Sequence, residues 1–221
     1  MELIKATDIV KTKSMRLIYA QPGTGKTSTA RYLKGTTLVV DIDKTTGVLK
    51  GAENVDIISV DTHNAWDSFG EAIQYCKTTP HDNIFIDNVS ELERALLAEM
   101  GRKGKNNLVP SMADYQRMQF YIMGAIRSLK NIDKDIFITA WETTDQFQTE
   151  GGQIYNRFLP QISAKIVDNV MGLCDVVAKL AINTEKKTRG FILEPSPGVF
   201  VKNQLDDRKG CLVEDLVQYD D

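Results

Sequence analysis

Short apolar runs rich in β-branched residues recur along the chain, with stretches of helical periodicity between them. The runs are residues 16–20 (RLIYA), 37–42 (TLVVDI), 55–60 (VDIISV), 83–86 (NIFI), 135–140 (DIFITA) and 175–182 (DVVAKLAI). Their length and composition predict strands covered on both faces, as in a parallel sheet. Residues 28–33 read as a helix. In residues 65–76, Trp66, Phe69, Ile73 and Cys76 recur at spacings of three and four. Ser90 with Glu93 predicts a capping box opening a helix to about residue 100, and Ser111 with Asp114 a second one. That second helix is expected to bury Tyr115, Met118, Ile122, Ile126 and Leu129 on one face.

Strands alternating with helices predict an α/β fold, with a mainly parallel sheet and helices on both faces. Beyond residue 175 the strands crowd together (175–182, 190–194, 199–202), which predicts an antiparallel C-terminal extension. No repeat or low-complexity linker interrupts the pattern, so residues 1–221 are expected to form one domain.

The first run leads into residues 19–30, YAQPGTGKTSTA. They follow the phosphate-loop pattern G-x-x-x-x-G-K-[ST], with Ala20 at the first glycine. That glycine eases a turn at the strand end, and a methyl group can take its place. The cradle itself is Gln21, Pro22, Gly23, Thr24, Gly25, Lys26, Thr27 and Ser28. Its backbone N–H groups, with the dipole of the helix behind them, would hold phosphates. Gly23 and Gly25 would let the backbone approach, Lys26 can reach the β/γ oxygens, and Thr27 can ligate Mg²⁺. In NIFIDN, Asp87 ends an apolar strand, the form expected of a second Mg²⁺-binding carboxylate. Asn88 follows it, and an amide cannot act as a general base. The run 37–42 opens VVDID, which offers Asp43, with Asp41 as the alternative. Alternation puts both on one side of the strand, opposite Ile42. Either can instead cap the turn at residues 44–47.

Composition narrows the setting. Hydrophobic residues make up 42% and charged residues 26%, a globular balance. No apolar run approaches the ~20 residues that cross a bilayer, and residues 1–13 carry no signal-peptide core. Cys76, Cys174 and Cys211 form no C-x-x-C pair and read as reduced thiols of a cytoplasmic protein rather than metal ligands. The net charge of −3 leaves any nucleic-acid binding to local basic patches. His63 and His81 are isolated and are expected at the surface.

Together these residues resemble the RecA-like ATPases, and the likeness runs through most of the chain. The resemblance implies ATP and Mg²⁺ as cofactors and a RecA-like P-loop core. It matches Asp41 and Asp43 to an Asp-x-Glu whose second acid activates water, so Asp43 is the implied base. It matches residues 136–139 to a strand ending in a γ-phosphate sensor, where this chain has Thr139 in place of Gln. It matches FVKNQ to a stretch whose lysines reach the nucleotide of a neighbouring subunit, which implies Lys202 as a catalytic cation within a ring or filament, with Arg208 as runner-up.

The resemblance also implies two single-stranded-DNA loops. One is GRKGKNN, with Arg102, Lys103 and Lys105. The other is residues 142–158, with Phe147, Tyr155 and Arg157 offset by Glu142, Asp145 and Glu150. QPGTGKT, VVDIDKTTGV and IFIDNVSEL look most like the compact RecA-core proteins of bacteriophages, some of which anneal single strands. The implied function is an ATPase acting on single-stranded DNA in phage recombination or replication, in the host cytoplasm, with a single-strand-binding protein as a further candidate partner. The alternative is a nucleotide-gated switch or loader acting on a protein partner. A small-molecule kinase would need an acceptor pocket and a lid, and neither signature is present.

Overall fold

The structure is a computed structural model, and it describes residues 5, 7, 13–184 and 187–217. Its strands are β1 (Met15–Ala20), β2 (Thr37–Asp41), β3 (Val55–Ser59), β4 (Asn83–Asp87), β5 (Asp135–Gln148), β6 (Ile154–Pro160), β7 (Val176–Asn183), β8 (Thr188–Ile192), β9 (Lys202–Asn203) and β10 (Gly210–Leu212). The helices are α1 (Ala65–Thr78), α2 (Val89–Lys103), α3 (Met112–Lys130) and α4 (Val167–Leu173). The sheet order is β10-β8-β7-β1-β5-β4-β2-β3, with β6 pairing β5 and β9 pairing β7. From β7 to β3 every pairing is parallel, while β8, β9 and β10 add antiparallel. The parallel core and the antiparallel extension therefore match the sequence pattern.

The expected helices on both faces are corrected. All four α-helices pack on one face, where Phe69, Leu96, Ile122 and Val170 share a core with Leu17, Val40, Ile86 and Ile138. The opposite face is covered by short 3-10 turns, at Thr27–Tyr32, Thr46–Leu49 and Val213–Asp215, through Ala30, Leu33, Leu49 and Val213. The cause is the strand order. Right-handed crossovers put connections that move one way along a sheet on one face and those that return on the other. The steps β1→β2→β3 run outward through residues 21–36 and 42–54, stretches too short for a long helix. The return steps β3→β4→β5→β7 carry α1 to α4. The helix expected at residues 28–33 is thus a 3-10 helix over Thr27–Tyr32, with Leu33 its extended C-cap.

Two further expectations change. Asn88, not Ser90, caps α2 by accepting the Glu91 N–H (2.8 Å). Ser90 instead accepts the Trp141 N–H and donates to the Gln161 carbonyl, tying α2 to β5 and to the chain after β6. On α3 the Ser111–Asp114 capping box is present and Met118, Ile122, Ile126 and Leu129 are buried, but Tyr115 is exposed. His81 is buried rather than at the surface, between the Thr79 hydroxyl and the Asp56 carboxylate. Among the described residues no helix is long and apolar enough to cross a membrane.

Glu93 shows how this helical face is held. Its carboxylate accepts the Ser163 N–H at 3.0 Å, and burial pushes its pKa up to about 7. A carboxyl raised from the usual ~4.5 keeps its proton longer in the folded chain than in the unfolded one. Its contribution to stability is therefore full below about pH 4.5 and is lost as the pH rises towards 7. Glu93→Gln keeps an acceptor for Ser163 and removes the titration. The variant is expected to melt higher than the parent at pH 8, with little difference at pH 5, as thermal unfolding at the two pH values would read.

Candidate functional site

The carboxyl ends of β1, β2, β4 and β5 meet at an open cleft of about 330 Å³. It is lined by Pro22, Gly23, Gly25, Lys26, Thr27 and Ser28 from the loop after β1, by Asp43 and Thr45 after β2, by Asp87, and by Trp141 and Arg189. Parallel order makes this convergence for β1, β2, β4 and β5, which all end on the same side, while Arg189 enters from the start of antiparallel β8.

Ala20 closes β1 fully buried and outside the left-handed region, so no glycine is required there. Gly23 (φ 77°) and Gly25 (φ 105°) are left-handed, which an L side chain adopts only under strain. Lys26 is buried at 7% exposure and donates to the Ala20 and Gln21 carbonyls (3.0 and 3.1 Å). Burial lowers its pKa, and the carboxylates of Asp87, Asp43 and Glu142 work the other way. Because the Thr27–Tyr32 turn is short, little helix dipole stands behind the loop, and anion binding rests on the backbone N–H groups and Lys26.

Thr27 and Asp87 stand together as expected. The Thr27 hydroxyl donates to Asp87 Oδ2 at 2.6 Å, and Asp87 Oδ1 accepts from the Thr139 hydroxyl at 2.5 Å. Burial raises the Asp87 pKa to about 6, against those two hydrogen bonds. Thr139, expected as the end of the sensor strand, is fully buried and orients Asp87. A hydroxyl and a carboxylate are the hard oxygen donors that Mg²⁺ takes. Among the described residues no cluster of three or more His, Cys, Asp or Glu side chains forms a metal cage. A cation held here would thus complete its shell with phosphate and water oxygens, as Mg²⁺ commonly does.

The structure separates the two acids of VVDID. β2 ends at Asp41, and the chain turns through Lys44 (φ 60°), so strand alternation does not carry on to Asp43. Asp41 is buried and closes the turn, accepting from the Lys44 N–H (2.8 Å) and the Thr46 hydroxyl (2.8 Å). Asp43 lines the cleft. Its Oδ1 accepts from the Thr45 hydroxyl (2.6 Å), and its Oδ2 accepts from Asn88 Nδ2 (2.5 Å). The Asn88 carbonyl oxygen is already engaged with Glu91, so the amide nitrogen must face Asp43. Asn88 therefore holds the candidate base in place, a role the sequence did not suggest.

The remaining expected site residues lie elsewhere. Arg102, Lys103 and Lys105 are exposed at and beyond the end of α2, with Arg102 donating to the His63 carbonyl (2.9 Å) and Lys103 paired to Glu99. Residues 142–158, expected as a mobile loop, form the β5–β6 hairpin instead. The Gly151-Gly152 pair between short runs that hold Thr143, Thr144 and Phe147 on one side and Ile154 and Tyr155 on the other was the local signal for it. There Arg157 pairs with Asp145 (2.7 Å) and stacks over Phe147. Lys202 caps α4, donating to the Gly172 and Cys174 carbonyls (3.0 and 2.8 Å). It pairs with Val177 on the amino side of β7, the end of the sheet opposite the phosphate loop. Arg208 pairs with Asp206. Trp141 and Arg189 line the cleft although the sequence did not single them out for it. Trp141 lies two residues beyond the sensor position at Thr139, whereas nothing local marks Arg189.

A family model described as an AAA domain matches residues 12–205. No curated protein matches the chain.

Proposed function

The chain belongs to the AAA domain family, and from that premise we propose that it is a Mg²⁺-dependent ATPase acting on single-stranded DNA, in phage recombination or replication. One observation carries the hydrolytic reading: Thr27 and Asp87 meet in the cleft into which Asn88 directs Asp43.

In this reading Gly23 to Ser28 wrap the phosphates and Lys26 turns from the Ala20 and Gln21 carbonyls to the β/γ oxygens. Thr27 and Asp87 hold Mg²⁺, which when bound neutralises charge on the phosphates. Asp43, fixed by Asn88 and Thr45, orients the attacking water and accepts its proton.

The link to DNA rests on α2. Its first residue follows Asn88, and its last turn carries Arg102 and Lys103, about 22 Å away at 1.5 Å per residue. A rigid helix with one end at the base and the other in a basic segment can couple the two. Trp66, packed on Tyr121 and partly exposed, lines a pocket with Lys103 and Arg117, so an aromatic ring for base stacking lies near the cations. Neutralising Arg102, Lys103 and Lys105 together should weaken single-strand binding. It should also flatten the slope of log affinity against log salt by about 2, since each lost phosphate contact removes about 0.7. Fluorescence anisotropy across a salt series reads both.

A second reading, a nucleotide-gated switch or loader, is favoured by exposed Leu108, Val109, Met112 and Phe120 close to that segment. Its partner would be a protein, a further copy of this chain included. The ATPase rate with and without single-stranded DNA separates the readings: stimulation supports the first, and indifference the second.

A further inference from the structure

Arg189 is the cation in the cleft that no part of this reading yet uses. It lies on β8 opposite Ile182 of β7, and β7 in turn pairs with β1, so the antiparallel extension carries it back over the phosphate loop. A Cβ built on Gly25 would meet Arg189 Nη1 at 2.1 Å and Cζ at 3.2 Å. The guanidinium thus rests on the backbone between Thr24 and Lys26, in a space that opens only because residue 25 has no side chain. It lines the same cleft as Lys26, Thr27, Asp43 and Asp87.

No hydrogen bond or ion pair among the described residues holds this guanidinium. The nearby carboxylates are committed elsewhere, Asp87 to Thr27 and Thr139, and Asp43 to Thr45 and Asn88. A half-buried cation beside Lys26, with no anion of its own, leaves excess positive charge on one side of the cleft. An arginine fork suits phosphate oxygens, which it can bind in pairs.

We propose that Arg189 is a further nucleotide-binding and catalytic residue, which binds the polyphosphate chain in cis, from the same subunit as Lys26. The inference rests on the ATP-site reading. It places within one chain the charge that the sequence pattern would have sought from a neighbour through Lys202. Gly25 then serves twice, once for its left-handed backbone and once for the room it gives the arginine.

The test uses the full chain, Mg²⁺ and a fluorescent ATP analogue, with Arg189→Ala, Arg189→Lys and Arg189→Gln. Melting without nucleotide identifies the variants that fold, and the glutamine variant replaces the alanine one if that melts early. Loss of the guanidinium is expected to weaken Mg-ATP binding ~10-fold or more, as removal of a charge-assisted contact does, and to slow turnover. Lysine should recover part of both. Mixing Arg189→Ala with Lys26→Ala should restore no turnover, because no chain then holds both groups. Parent affinity and turnover in a folded Arg189→Ala or Arg189→Gln chain would overturn the inference, and so would rescue in the mixture. Lys26→Ala is the control. Normal ATP binding there would strike the ATP site itself, whereas loss there with none at Arg189 would strike only this inference.

Discussion

Lys26→Ala is expected to abolish measurable ATP turnover, with a loss of ~10³-fold or more, and to weaken Mg-ATP binding at least ~10-fold. The ammonium is buried and surrounded by the negative charge of Asp87, Asp43 and Glu142, and it donates only to two loop carbonyls. It is therefore free to turn to a triphosphate without breaking an ion pair. The binding loss corresponds to one charge-assisted contact. The larger kinetic loss follows because charge on the phosphate oxygens grows in the transition state, where a preorganised donor counts for more. Calorimetry would read the first effect and a phosphate-release assay the second. Parent-like turnover in purified Lys26→Ala protein would remove the site from consideration.

Asp43→Asn should retain nucleotide binding to within a few-fold and slow hydrolysis by ~10²-fold or more, the usual scale for a lost general base. Asparagine keeps an acceptor for the Thr45 hydroxyl but cannot take a proton from water. Asn88→Ala should behave differently. It leaves the carboxylate in the cleft without the Nδ2 contact that aims it, and it removes the cap of α2. The expected result is a smaller loss of rate, together with a lower melting point worth about 1 kcal/mol for the cap. Asp41→Asn should slow hydrolysis little, because that side chain closes the turn at Lys44 and Thr46. A crippled Asn88→Ala beside an active Asp43→Asn would reverse the assignment.

Most of the candidate site was legible because its determinants are local. Gly23, Gly25, Lys26 and Thr27 form a loop by their own backbone preferences, and Asp87 ends a strand recognisable from its apolar run. The choice between Asp41 and Asp43 was not legible. Alternation holds only while a strand lasts, and β2 stops at Asp41. Ser90 misled for a related reason. A hydroxyl three residues before a glutamate fits a capping box locally, but here it serves Trp141 and Gln161, residues brought close only by the packing of β5 against α2.

Sequence alone determined the strands of the sheet core, that this core is parallel, and where the phosphate loop lies, since apolar period and left-handed glycines act within a few residues of themselves; it did not show the β5–β6 hairpin or β10. Tertiary structure decided the rest. It gathered the four helices on one face through the direction of successive crossovers, turned Asn88 onto Asp43, set Lys202 under α4, and brought Arg189 across β7 onto Gly25. Each depends on strand order and register between residues as many as 164 positions apart, as Arg189 is from Gly25. Side chains that meet only after the sheet has assembled leave no periodic trace along the chain.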